Sequence, residues 1–172
     1  CQILYQVDYD NQGRIAKSGT LIKDMYDQIM NHSYFKLGYP KSTGRELFGD
    51  IYTTKILEQF KMHKSQDIIH TLTMVVIDSI VQSYKKIIKQ PVNELILCGG
   101  GALNTFIKEE IAKKMKETKV LVLEDLGYSS QYKEALAFVI LGNQTMNRLP
   151  SNLKSATGAK DYKILGQINY YQ

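Results

Sequence analysis

The sequence predicts an α/β fold in which a parallel-type sheet carries helices on its faces. Two short apolar runs, Glu94-Leu95-Ile96-Leu97-Cys98 and Lys119-Val120-Leu121-Val122-Leu123, have the length and density of strands buried on both faces. A stretch with helical spacing, about 102–117, separates them, and another, about 131–147, follows. The order strand, helix, strand, helix implies parallel pairing through a right-handed crossover.

The elements run as follows. Residues 1–20 are polar and assign to no element, with a turn at Tyr9-Asp10-Asn11-Gln12-Gly13. Leu21, Ile22, Met25, Ile29 and Met30 recur at helical spacing over 19–32. Gly38, Pro40 and Gly44 mark a loop, and 46–60 reads as a helix through Leu47, Ile51, Ile56, Leu57 and Phe60. The clearest helix spans about 66–89, with an apolar stripe of Ile68, Ile69, Leu72, Val75, Val76, Ile80 and Ile87. Lys85, Lys86 and Lys89 suit its negative end, and Pro91 stands just beyond. After the first strand, Leu103, Phe106, Ile107, Ile111 and Met115 share one side of the 102–117 helix. Gly127 lies in the loop after the second strand, Leu149–Ala159 reads as loop, and Ile164–Ile168 as a last strand.

A length of 172 residues fits a single domain spanning 1–172. No apolar run approaches the ~18 residues of a membrane span. The first residues lack the layout of a signal peptide, and without an initiator Met the chain reads as a fragment or a processed product. Two cysteines make no disulfide framework, which points to a reducing, cytoplasmic compartment, with Cys98 a buried thiol. The net charge of +5 is spread as lysines over several helices, with no arginine cluster or aromatic–basic alternation, so no nucleic-acid partner is indicated.

Chemistry gathers at the strand ends. Gly99-Gly100-Gly101 follows one strand and Glu124–Gly127 the next, and open α/β sheets bind ligands along that edge. Three glycines let backbone approach a ligand and lead into a helix N-terminus that favours anions. The same glycines also suit a plain tight turn. The run is neither a Walker loop nor a dinucleotide fingerprint. Glu134, at the start of the 131–147 helix, is either a dipole partner or a ligand-facing acid near that edge. In Lys41-Ser42-Thr43-Gly44-Arg45-Glu46, Thr43 and Glu46 fit a capping box, while Lys41 and Arg45 are suited to neutralising phosphate. His32, His63 and His70 have no metal-ligand spacing, so they read as surface or core residues, and the tyrosines as half-buried packing.

Several segments together resemble the anhydro-N-acetylmuramic acid kinase family. Tyr34-Phe35 with Pro40–Phe48 is similar to the family's PPKSTGRE-F block, and Cys98–Asn104 to its CGGG-x-x-N adenosine-side motif. Leu126-Gly127 with Lys133–Phe138 resembles LG…KEALAF. Leu149–Leu153, Ala156–Ala159 and Leu165-Gly166 resemble the tail LPxNLPSVTGA…LG, and Tyr9–Gly19 resembles YDxxGxIAxSG. The blocks keep the family's order over nearly the whole chain.

The resemblance implies an actin-like, ribonuclease-H-like ATPase fold, with this chain as the C-terminal, nucleotide-side lobe. It implies ATP and Mg²⁺ as cofactors and an anhydro-sugar as substrate, opened by water and phosphorylated to N-acetylmuramic acid 6-phosphate in cell-wall recycling. A related branch acts on levoglucosan. Gly99, Gly100, Gly101, Asn104, Thr157 and Gly158 would then bind the nucleotide. Glu134 would orient the sugar or the water, and Lys41 and Arg45 would serve the substrate or phosphate side. No metal ligand is assigned.

The family's GTSMDG loop, its base aspartate and its DTGPGN loop have no counterpart in these residues, so an N-terminal lobe in the same or another chain is the expected partner. A homodimer is a further possible assembly. Four local departures stand out: Gln131 for aspartate, Ser130 for the preceding glycine, Tyr39 for the first proline of PPK, and Met74–Ile77 for a Thr-containing stretch. Two readings follow: one lobe of a sugar kinase, inactive as this chain alone, or a degenerate half-kinase serving as a nucleotide-binding or structural subunit.

Overall fold

The computed structural model describes residues 1–38 and 41–170; Tyr39 and Pro40, part of the proline-containing block, lie outside the described residues. The chain forms two compact units, Cys1–Val122 and Leu123–Gln172.

In the first unit the polar N-terminal stretch is ordered by its own side chains. Helix α1 (Gln2–Tyr5) is followed by a 3-10 turn, Asn11–Gly13, and α2 (Arg14–Ser18). Asp10 starts α2: its carboxylate accepts from the amides of Ile15 at 2.9 Å and Ala16 at 2.8 Å. Those amides have no intrahelical partner, so a short acid just upstream satisfies them. Periodicity offers no such signal, which is why 1–20 assigned to no element. Helix α3 (Lys23–Met30) begins later than the spacing predicted. Its entry is extended because Thr20 donates to Asp67 and the Ile22 amide to Thr71 Oγ1 at 2.9 Å.

Helix α4 (Ser33–Lys36) precedes the loop, and the predicted 46–60 helix is two, α5 (Arg45–Phe48) and α6 (Asp50–Gln59). The break falls at Gly49, where a Cβ would sit 2.0 Å from the Arg45 carbonyl oxygen. The expected Thr43 cap is not made: Gly44 is the N-cap of α5, and Glu46 folds back over it.

Helix α7 (Ser65–Ile87) matches its predicted extent but not its whole stripe. Ile68, Ile69 and Val75 are buried, while Val76, Ile80 and Ile87 are exposed and Ile77 and Val81 take their places inside. The helix serves two cores. Ile68 and Val75 pack with Met25, Ile29, Ile56 and Phe60. Ile69, Ile77 and Val81 pack with Ala16, Phe106, Ile111 and Met115. Two partners on different sides draw on a wider arc than one stripe.

Strands β1 (Glu94–Leu97) and β2 (Lys119–Val122) pair in parallel, with Glu94 beside Lys119 and Leu97 beside Val122. Helix α8 (Thr105–Lys114) joins them. The strands are not buried on both faces: Leu95, Leu97 and Val120 pack on the core, whereas Ile96 is 43% exposed. Cys98, expected buried, is exposed. Asp78 links three helices, accepting from Tyr26 Oη at 2.7 Å and pairing with Lys114 Nζ at 2.9 Å. Burial, then the bond to Asp78, raises the Tyr26 pKa well above the ordinary phenol value.

The second unit holds a 3-10 turn, Leu123–Leu126, then α9 (Lys133–Met146) and α10 (Lys154–Thr157), the last within the predicted loop. The strand expected at Ile164–Ile168 does not form. Thr145 Oγ1 instead donates to the Leu165 carbonyl, so a side chain takes the acceptor a ladder would use. Among the described residues no helix is long and apolar enough to cross a membrane.

Candidate functional site

The triglycine segment lies at the C-terminal end of β1, as its sequence position requires. Gly99 has φ +88°, and Gly100–Leu103 form a 3-10 turn. The glycines therefore do not open α8 themselves. Asn104 does, its Oδ1 accepting from the Ile107 amide at 3.1 Å. Asn104 thus has a structural duty in addition to the ligand role expected of it.

Glycine is not demanded at Gly100 or Gly101 by the chain. Neither has a positive φ, and a Cβ at either would meet nothing within 4 Å. The contrast is Gly13, with φ +72°, where a Cβ would lie 2.2 Å from Asn104 Oδ1 and 2.5 Å from Phe106 Cβ. That contact presses the N-terminal turn against the triglycine loop. Between them opens a recess of about 510 Å³ lined by Tyr9, Asp10, Asn11, Gln12, Gly100, Gly101, Leu103 and Asn104. Small-molecule sites are typically about 300–1,000 Å³, so the recess has the size of such a site. The wall from Tyr9 to Gln12 is absent from the expected nucleotide contacts; in the sequence it read as a turn and as the start of the YDxxGxIAxSG-like block. The pairing of Asp10 with Gly13, which builds that turn, was its legible trace.

The other candidates lie elsewhere. Lys41 Nζ donates to the Tyr34 carbonyl at 2.9 Å and sits 4.4 Å from the Tyr34 ring centroid. With Phe35, Phe48 and Tyr52 it lines a separate recess of about 410 Å³. Arg45 is exposed in the first turn of α5. His32 accepts from the Tyr34 amide, and His70 Nδ1 lies 2.7 Å from the Ala16 carbonyl, so both serve the fold.

In the second unit, Glu134 is exposed in the first turn of α9. Thr157 ends α10, with its hydroxyl donating to the Leu153 carbonyl at 3.0 Å, and Gly158 follows at φ +70°. Ser130, one of the departures, is buried and bonded to Glu124: its amide reaches Oε1 at 2.8 Å and its hydroxyl Oε2 at 3.0 Å. The Ser130 amide bond, more than any other cause, holds the Glu124 carboxyl below the usual carboxylate range. Glycine at 130 would forfeit the hydroxyl bond, so the departure is absorbed locally. Among the described residues no three His, Cys, Asp or Glu side chains are grouped to hold a metal ion.

Comparison with known proteins matches this sequence to one family. The family model described as anhydro-N-acetylmuramic acid kinase matches residues 1–171. The anhydro-N-acetylmuramic acid kinase of Francisella tularensis subsp. novicida is 45% identical over 172 residues, covering 99% of this chain and 45% of that protein. The enzyme of the same name from Bacillus thuringiensis subsp. konkukian is 42% identical over 174 residues, covering 99% of this chain and 46% of its own length. The chain thus spans about half the length of the curated relatives it matches. A match over 171 of 172 residues means that the chain belongs to the anhydro-N-acetylmuramic acid kinase family.

Proposed function

We propose that this chain is the nucleotide-side, C-terminal lobe of an ATP-dependent anhydro-sugar kinase of actin-like fold. The reaction would open the anhydro ring of anhydro-N-acetylmuramic acid with water and phosphorylate the sugar. The observation that carries the reading is Gly100-Gly101. Neither backbone conformation nor internal packing requires glycine there, and both residues line a recess the size of a small-molecule site. Their missing side chains leave room for a visitor. The relatives' shared name supplies the reaction class.

In this reading Gly99, Gly100, Gly101 and Asn104 bind the adenosine side, with Thr157 and Gly158 as further nucleotide contacts. Glu134 orients the sugar or the attacking water, and Lys41 and Arg45 serve the substrate or phosphate side. Mg²⁺ usually reaches such sites with the nucleotide phosphates, keeping several waters. Among the described residues no three His, Cys, Asp or Glu side chains are grouped to hold it.

Gly100→Val tests the reading. Calorimetry should show nucleotide binding lost while circular dichroism stays unchanged, and unaltered binding would sink the assignment. The 172-residue chain by itself should show no turnover in a coupled assay with ATP, Mg²⁺ and anhydro-N-acetylmuramic acid or levoglucosan. Phosphoryl transfer needs a phosphate cradle and a positioned base, and these residues offer no counterpart of the family's loops. Missing general-base help alone costs about 10²–10⁴-fold. Turnover near one per second, within the ordinary enzyme range, would refute this part.

A further inference from the structure

We infer that the turn Tyr9–Gln12 is the base-side wall of the nucleotide site, with the Tyr9 ring as its stacking platform. The inference rests on the nucleotide reading of Gly100 and Gly101 and adds residues that reading does not contain. Tyr9 is 71% exposed, yet it lines the same recess as the two glycines. Among the described residues it has no aromatic partner, whereas Tyr34 and Tyr52 pack against neighbouring rings. An aromatic ring left open on a recess wall is suited to stack a flat ligand.

The turn beneath it is fixed. Each Asp10 carboxylate oxygen accepts from an amide, Oδ1 from Ile15 and Oδ2 from Ala16, so Asp10 anchors the turn. Gly13 is held against Asn104 and Phe106. Gln12 adopts φ 59°, ψ 14°, a left-handed conformation uncommon outside glycine, and it lines the recess too. Such outliers persist where surrounding structure over-determines them and often mark ligand sites. The turn that carries the ring is therefore ordered before a ligand arrives, which reduces the ordering cost of binding. Stacking recognises the face shared by all bases, so the wall takes nucleosides as a class.

The test is binding of adenosine and of ADP, by ligand-detected NMR, to the 172-residue chain and to its Tyr9→Ala, Tyr9→Phe and Gly100→Val variants. Tyr9→Ala should weaken adenosine about 5- to 150-fold, the range for losing one base–aromatic stack. Tyr9→Phe should bind within about twofold of the native chain, because a phenyl ring stacks comparably. Loss in Gly100→Val with unchanged binding in Tyr9→Ala overturns the Tyr9 inference and leaves the glycine reading standing. Loss in Tyr9→Ala with unchanged binding in Gly100→Val overturns the glycine reading and, with it, the shared wall inferred here. A native chain that binds neither adenosine nor ADP overturns both.

Discussion

Gly13→Ala offers a severe test of how this fold is assembled. The residue stands at φ +72°, where an L side chain costs about 1–2 kcal/mol. Its new methyl would also fall 2.2 Å from Asn104 Oδ1 and 2.5 Å from Phe106 Cβ. Neither neighbour yields readily. Asn104 Oδ1 caps α8 by accepting from Ile107, and Phe106 is buried in the core beside Ile69 and Ile77. Overpacking at such a site typically costs about 1–3 kcal/mol. The two effects together predict a loss of about 2–5 kcal/mol, a large share of the ~5–15 kcal/mol that holds an ordinary domain. Urea unfolding followed by circular dichroism measures it as a lower midpoint. Gly101→Ala is the control: a Cβ there meets nothing within 4 Å, so stability should stay within about 0.5 kcal/mol. A Gly13→Ala loss below about 1 kcal/mol would refute the close contact between the N-terminal turn and the triglycine loop.

Two further outcomes are expected. Ile77→Ala should destabilise by about 2–5 kcal/mol and Ile80→Ala by much less, since Ile77 is fully buried and Ile80 is not; equal losses in urea unfolding would mean the helix is rotated from the orientation described. The Glu124 pKa is lowered in the fold, so its bond to Ser130 contributes above the ordinary carboxylate value and is lost as pH falls through the lower folded value. The Ser130 amide resonance should titrate with a midpoint below the usual glutamate range, and Glu124→Gln should abolish that step; a midpoint at or above that range contradicts the bond.

The parallel pair was legible because Leu95–Leu97 and Val120–Val122 are dense apolar runs flanking a helical period. Their exposure was not, since density cannot tell a strand covered on both faces from one whose Ile96 side stays open. Helix α7 was legible in extent because its period persists over 23 residues. Its buried face was misjudged because α3 and α8 claim different arcs of it. The recess was half legible. Triglycine after a strand is a local signal, but the opposite wall arrives from residues about ninety positions upstream, joined through the Gly13–Asn104 contact. No window of sequence contains both. The last expected strand failed because Thr145 and the tail satisfy each other through a side chain, a choice that apolar content does not reveal.

The two-stranded sheet has a consequence for anyone who prepares this chain. Among the described residues β1 and β2 pair only with each other, so each turns its other edge away from any strand, with Ile96 open on the face between. A strand edge without a partner strand is a template for pairing with another molecule. Solutions of the isolated chain should therefore be kept dilute, and light scattering that rises with concentration would point first to these edges, before any specific assembly is invoked.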